Sequence, residues 1–251
     1  MKNFNYQFSI INYFSYLCRL ICGKMIIIGI ETSTRVCSAA LMKDGQTLRQ
    51  EISLDSGNHA GLLPVYIETL LAYAHENNLH IDAVALSEGP GSYTGLRIGL
   101  STAKGLCYGL DVPLVVVPTT EVLCAAVMAK GENLEQILLC PMIDARRMEV
   151  YTALYSYCGE KLHAETDIQA LIVDSPDAMP DRPMVYFGDG AEKCQSVLEN
   201  EHRHYLAGIV PEAQYISPLG KWLRTKEEIA YYEPFYLKEF VAAPSHVKGL
   251  K

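Results

Sequence analysis

The chain has 251 residues and 27.9 kDa, enough for one large or two modest domains, each able to bury its own core. Its 21 Lys and Arg face 29 Asp and Glu, a formal net charge of −8, which excludes a chain that grips nucleic acid alone by broad phosphate neutralisation. A hydrophobic content of 49% beside 20% charged residues excludes disorder.

Residues 1–24 differ in character from the rest of the chain. Lys2 precedes an apolar stretch, as in a secretory signal, but Asn12 and Ser15 interrupt it, Arg19 follows it and no A-x-A-like cleavage site appears. The segment is read as a start assigned too early or as a dispensable extension. From Met25 the pattern becomes regular. Residues 26–31 form an apolar strand, Val36–Met42 a second and Gln46–Leu54 a third, the last two joined at Lys43-Asp44-Gly45, where Asp-Gly signals a hairpin. A helix is expected over Ala60–Glu76, a buried strand over Ala83–Ser87 and a helix over Thr94–Gly109. A strand at Leu114–Val117 and a helix at Thr120–Ala129 complete the first half. Three hairpin-linked strands followed by alternating helix and strand predict an α/β lobe with a mixed, helix-covered sheet.

The second half restarts this pattern. Ile143-Asp144-Ala145 repeats Ile30-Glu31-Thr32 at an offset of 113, and the same offset places Ala40-Leu41 on Ala153-Leu154. The reading is an internal duplication: an extension at 1–24, a lobe at 25–130 and a related lobe at 131–251. Each lobe carries an acid at its first strand tip, Glu31 and Asp144. Such acids can simply cap a hairpin by accepting turn amides. The two-lobe arrangement also resembles the actin-like ATPase superfamily, which implies that they could instead organise a metal–nucleotide complex.

Ser87-Glu88-Gly89-Pro90-Gly91-Ser92-Tyr93-Thr94-Gly95-Leu96-Arg97 follows a strand and opens a helix, a place where free amides and the helix dipole favour an anion. Gly89, Gly91 and Gly95 are spaced one residue too long for the dinucleotide fingerprint, and no G-x-x-x-x-G-K-[ST] is present. Glu31, Thr32, Gly89, Gly91, Ser92 and Asp144 form the candidate anion or nucleotide set. Inside the helix, Gly99 and Gly105 each cost about 1 kcal/mol relative to alanine, so something must offset them. The spacings Gly95-x-x-x-Gly99 and Gly105-x-x-x-Gly109, with Thr102 and Ala103 between, suggest a small-residue face that another helix approaches. In the preceding helix Leu62, Leu63, Tyr66, Ile67 and Leu70 belong to an apolar surface wider than one stripe needs to be. These five residues with Gly95, Gly99 and Ala103 form the candidate partner interface.

Eight cysteines contain no C-x-x-C pair and read as reduced thiols, mostly buried, of a soluble cytoplasmic protein. Seven histidines contain neither H-E-x-x-H nor H-x-x-x-H, and no G-x-S-x-G elbow occurs, so no catalytic residue and no metal site is assigned.

Taken together, these segments resemble the bacterial TsaB family, also called YeaZ. The resemblance rests on Ile30-Glu31-Thr32-Ser33-Thr34, His59 with Leu62-Leu63-Pro64, and the run Gly89–Gly99. It continues through Pro118-Thr119-Thr120, Ile143-Asp144-Ala145-Arg146, Glu149-Val150-Tyr151, Gly188-Asp189-Gly190 and Glu233-Pro234-Phe235-Tyr236-Leu237. It implies the actin-like ATPase (RNase H-like) fold and a non-catalytic subunit of the machinery that makes threonylcarbamoyladenosine in tRNA. The implied partner is TsaD, the homologous threonylcarbamoyltransferase, docked as a heterodimer on the first two helices. The companion ATPase TsaE is also implied. ATP and magnesium would be used by the wider complex and tRNA met only through it, with self-association on the same helices when TsaD is absent. The metal-binding histidine pair of TsaD aligns with Thr119 and Leu123. The family's usual aspartate at the first strand tip is Glu31 here. The other classes are an actin-like ATPase or small-molecule kinase, and a metalloprotease of the glycoprotease type.

Overall fold

The structure, a computed structural model, describes residues 25–238 apart from 56, 132–133, 135, 159–160 and 217–219. The extension at 1–24 lies outside the described residues. Ile26–Glu31 is β1, and its fully buried Ile28 and Ile30 make it the centre of the first sheet. β2 (Cys37–Lys43) and β3 (Gln46–Ser53) follow through the Asp44-Gly45 turn, where both residues take positive φ, as the Asp-Gly signal requires. α1 (His59–Glu76) starts at Asn58, whose side chain accepts the Gly61 N–H. β4 (Ala83–Ser87), α2 (Tyr93–Leu110), β5 (Leu114–Val117) and α3 (Thr119–Met128) complete the expected series to within a residue or so.

The second half begins with β6 (Leu138–Asp144) and β7 (Glu149–Thr152). The hairpin of β8 (Tyr155–Cys158) and β9 (Lys161–Ala164) intervenes before β10 (Gln169–Ile172). β11 (Met184–Phe187), α4 (Gln195–Leu198) and β12 (Arg203–Leu206) follow. In the first sheet the order β5-β4-β1-β2-β3 pairs β1 antiparallel with β2 and parallel with β4. In the second the order β12-β11-β6-β7-β10 pairs β6 antiparallel with β7 and parallel with β11. The two lobes share one topology, that of the actin-like fold. The residue-level offset needs correcting, because Gly29 faces Ala40 while Met142 faces Thr152. The second hairpin is one residue shorter, so the counterpart of Ala40 is Thr152 and not Ala153.

The lobe boundary needs a similar amendment. The 3-10 turn Ala213–Tyr215 docks on β2, where the Ala213 N–H donates to the buried Ser38 Oγ at 2.9 Å. β13 (Lys221–Leu223) then pairs antiparallel with β5, and α5 (Lys226–Tyr231) packs on α2 behind a Thr225–Glu228 capping box. The segments Ala213–Tyr215, Lys221–Leu223 and Lys226–Tyr231 therefore complete the first lobe, although they follow the second in the chain.

α1 and α2 cover one face of the first sheet, burying Leu63, Leu70, Leu100 and Ala103 on Ile28, Ile30 and Leu41. α3 covers the other face with Val122, while Leu123 and Val127 enter the core of the second lobe against Leu139, Ile143 and Phe187. At about 1.5–3 kcal/mol per buried large apolar side chain, this shared helix is a major tie between the lobes. No helix among the described residues is long and apolar enough to cross a membrane.

Candidate functional site

The second of the acidic strand tips, Asp144, lines a cleft of about 650 Å³ between the lobes. Its walls include Ser33, Arg35 and His59 from the first lobe, Gly91–Thr94 at the start of α2, and Asp144, Arg146 and Asp189 from the second. Residues Phe235–Lys238 close one side. Gly188 takes φ +106°, and Gly190 lies too close to Ile143 and Asp144 for any side chain, so the Gly188-Asp189-Gly190 turn brings Asp189 Oδ1 to the Asp144 N–H at 3.0 Å.

Of the candidate anion or nucleotide residues, the cleft collects Gly91, Ser92 and Asp144. Glu31, Thr32 and Gly89 do not line it, and the reading is corrected there. Glu31 is fully buried, its Oε1 accepts the Ser33 N–H, and burial pushes its carboxyl above the ordinary range. The Thr32 hydroxyl donates to the Gly95 carbonyl at 2.9 Å, and the Ser33 carbonyl accepts the Ser92 N–H at 2.6 Å. A Cβ on Gly91 would overlap the Ser33 carbonyl, and one on Gly89 would lie 2.7 Å from the Phe235 carbonyl oxygen. The glycine turn is therefore filled by the chain's own loops. Asp144 accepts the Arg146 N–H at 3.2 Å and forms an ion pair with Lys193. Both acids thus accept amides of their own turns, the simpler of the two readings.

The candidate partner set divides as sharply. Leu63, Leu70 and Ala103 are buried in the first lobe's own core. Gly95 and Gly99 face inward: a Cβ on either would overlap Thr32, at its carbonyl oxygen and its hydroxyl respectively. These five positions hold the monomer together, and their assignment to a partner contact is corrected. Leu62 and Tyr66 are half-buried at the edge, and Ile67 floors a shallow groove between α1 and α2. The groove is otherwise lined by Pro64, Glu68, Leu71, Ala72, Thr102, Gly105 and Leu106. A Cβ on Gly105 or Gly109 would meet nothing within 4 Å, and Val65 and Tyr108 are 55% and 73% exposed nearby. Of the two glycine spacings in α2, Gly105-x-x-x-Gly109 is therefore the open one and Gly95-x-x-x-Gly99 the enclosed one.

The two positions aligned with the transferase's histidine pair are also enclosed. Thr119 shares a 2.8 Å hydrogen bond with Ser87, and Leu123 lies in the core of the second lobe. Among the described residues no three His, Cys, Asp or Glu side chains gather where they could hold a metal ion.

The family model described as TsaD, tRNA N6-adenosine threonylcarbamoyltransferase, matches residues 53–185, more than half of the chain. The tRNA threonylcarbamoyladenosine biosynthesis protein TsaB of Bacillus subtilis (strain 168) is 30% identical over 179 residues, covering 70% of this chain and 76% of that protein. The chain belongs to the TsaB family. TsaB of Escherichia coli (strain K12) is 34% identical over 131 residues, a match that spans about half of each chain: 52% of this one and 55% of that one. A solved structure described as an uncharacterized protein with similarity to peptidase YEAZ from Pseudomonas aeruginosa superposes with a TM-score of 0.69 at 23% identity. It covers 85% of this chain and all of that one. That structure shares the fold, and the TsaB, or YeaZ, assignment rests on the curated relatives.

Proposed function

We propose that this chain is the non-catalytic subunit of an assembly that makes threonylcarbamoyladenosine in tRNA, docking and supporting a TsaD-type threonylcarbamoyltransferase. The observation that carries the reading is the apolar groove between α1 and α2, floored by Ile67 and notched at Gly105, on a chain whose matched family model is that of the transferase itself. Two chains of one fold can meet through equivalent helices, giving a bundle in which each covers the other's groove. The same face serves a homodimer when the transferase is absent. TsaE is the companion ATPase in this scheme, ATP and magnesium are used by the wider complex, and tRNA is met only through it in the cytoplasm. A net charge of −8 accords with a subunit that leaves most of the tRNA grip to others.

No observation favours the kinase or ATPase class, since Glu31 is enclosed and Asp144 is paired with Lys193. A glycoprotease-type centre would need imidazoles where Thr119 and Leu123 stand. The test is reconstitution with purified TsaD, TsaE, an activated threonylcarbamoyl donor, ATP, magnesium and tRNA, read as modified nucleoside. The expected result is no product from this chain alone and loss of most product when it is left out. Product formed equally well without it would refute the proposal.

A further inference from the structure

The docking groove is lined by one ionisable side chain, Glu68. Pro64, Glu68 and Ala72 stand four residues apart on α1 and form a single ridge along the groove. Glu68 is the middle member and is exposed, and among the described residues no hydrogen bond or ion pair engages its carboxylate. A helix that covers the ridge from Pro64 to Ala72 therefore also takes Glu68 out of water. A desolvated carboxylate needs a cation opposite it.

A second copy of this chain does not bring that cation on the same helices. α1 contains no Lys or Arg, and α2 contains Arg97 and Lys104, which are held elsewhere. Arg97 donates to the Tyr93 hydroxyl at 2.9 Å and lies over its ring, and the Lys104 ammonium donates to the carbonyls of Ala230 and Tyr232, both at 2.7 Å. Self-pairing across this face thus covers two carboxylates, one from each copy, with no lysine or arginine in either groove. We propose that Glu68 selects the partner: it disfavours a second copy and favours a sister subunit whose covering helix presents a Lys or Arg to it. The inference rests on the docking reading above and adds the chemistry that the partner must supply. Such selection is a difference of two affinities, one raised by an attraction and the other lowered by a repulsion.

Glu68→Gln keeps the size of the side chain and removes its charge, so the two associations should move in opposite directions. The measurements are made at pH 8, where ordinary imidazoles carry little charge, so that the histidines of α1 do not stand in for a cation. Affinity for TsaD, by titration calorimetry, should fall about tenfold, while self-association of this chain alone, by sedimentation equilibrium, should tighten about fivefold. Glu68→Lys sets like charges against each other and should lower the affinity for TsaD at least ~100-fold. Gly105→Arg, which fills the groove by bulk, keeps the two readings apart. A TsaD affinity that does not fall in Glu68→Gln, or a self-association that does not tighten, while Gly105→Arg still disrupts docking, would overturn selection by Glu68 and leave the groove as the contact. Docking unchanged in Gly105→Arg as well would remove the groove from the contact, and the proposal would fall with it.

Discussion

Gly95→Ala is expected to lower the melting temperature by roughly 5–10 °C, an unusually large effect for adding one methyl group to a helix. Its Cβ would overlap the Thr32 carbonyl oxygen, a backbone atom held in the loop after β1. Relief requires the first turn of α2 to move away from that loop, which also breaks the 2.9 Å bond from the Thr32 hydroxyl to the Gly95 carbonyl. Overpacking costs about 1–3 kcal/mol and the lost buried hydrogen bond about 1 more. The gain in helix propensity that alanine brings elsewhere, about 1 kcal/mol at most, is too small to compensate. Thermal unfolding by circular dichroism reads the result, and a melting temperature equal to or above wild type would show that the loop does not press on the helix as described.

Gly105→Arg, ten residues along the same helix, should do the opposite. Nothing lies within 4 Å of an added Cβ there, and replacing a helical glycine gains roughly 0.5–1 kcal/mol, so the monomer should melt at or slightly above the wild-type temperature. Docking is another matter. An arginine would fill the notch beside Leu71 and Leu106 and carry bulk and charge into a largely apolar contact. Affinity for TsaD should fall at least ~100-fold, about 3 kcal/mol, measured by titration calorimetry. An affinity within a few-fold of wild type would remove the groove from the interface. The paired variants separate fold from docking: one glycine protects the monomer and the other leaves room for a partner.

That contrast also marks how far the amino-acid pattern alone can be read. The first lobe was legible because β1, the Asp44-Gly45 hairpin, α1 and α2 are long, periodic and capped, so local rules decide them. The duplication was legible at the Glu31 and Asp144 tips, but its register was not, because one turn residue fewer shifts the second hairpin without a local signal. The return of β13 to β5 involves only three residues, Lys221–Leu223, too short for any periodicity to announce it. Glycines within α2 did indicate a close neighbour. Their spacing could not say whether that neighbour was a partner or the chain's own Thr32, because the answer depends on where the loop after β1 folds back. Asp189 and Lys238 stood in or beside recognisable segments, yet their place on one cleft is a product of tertiary structure alone.

Hydroxyl-radical footprinting of this protein with and without TsaD reads side-chain access directly. Docking on the groove predicts that Pro64, Leu71, Ala72 and Leu106, which line it, lose most of their reactivity in the complex while exposed Ile172 on β10 keeps its own. Undiminished labelling of those four residues in a complex that demonstrably forms would place the contact elsewhere and contradict docking on α1 and α2.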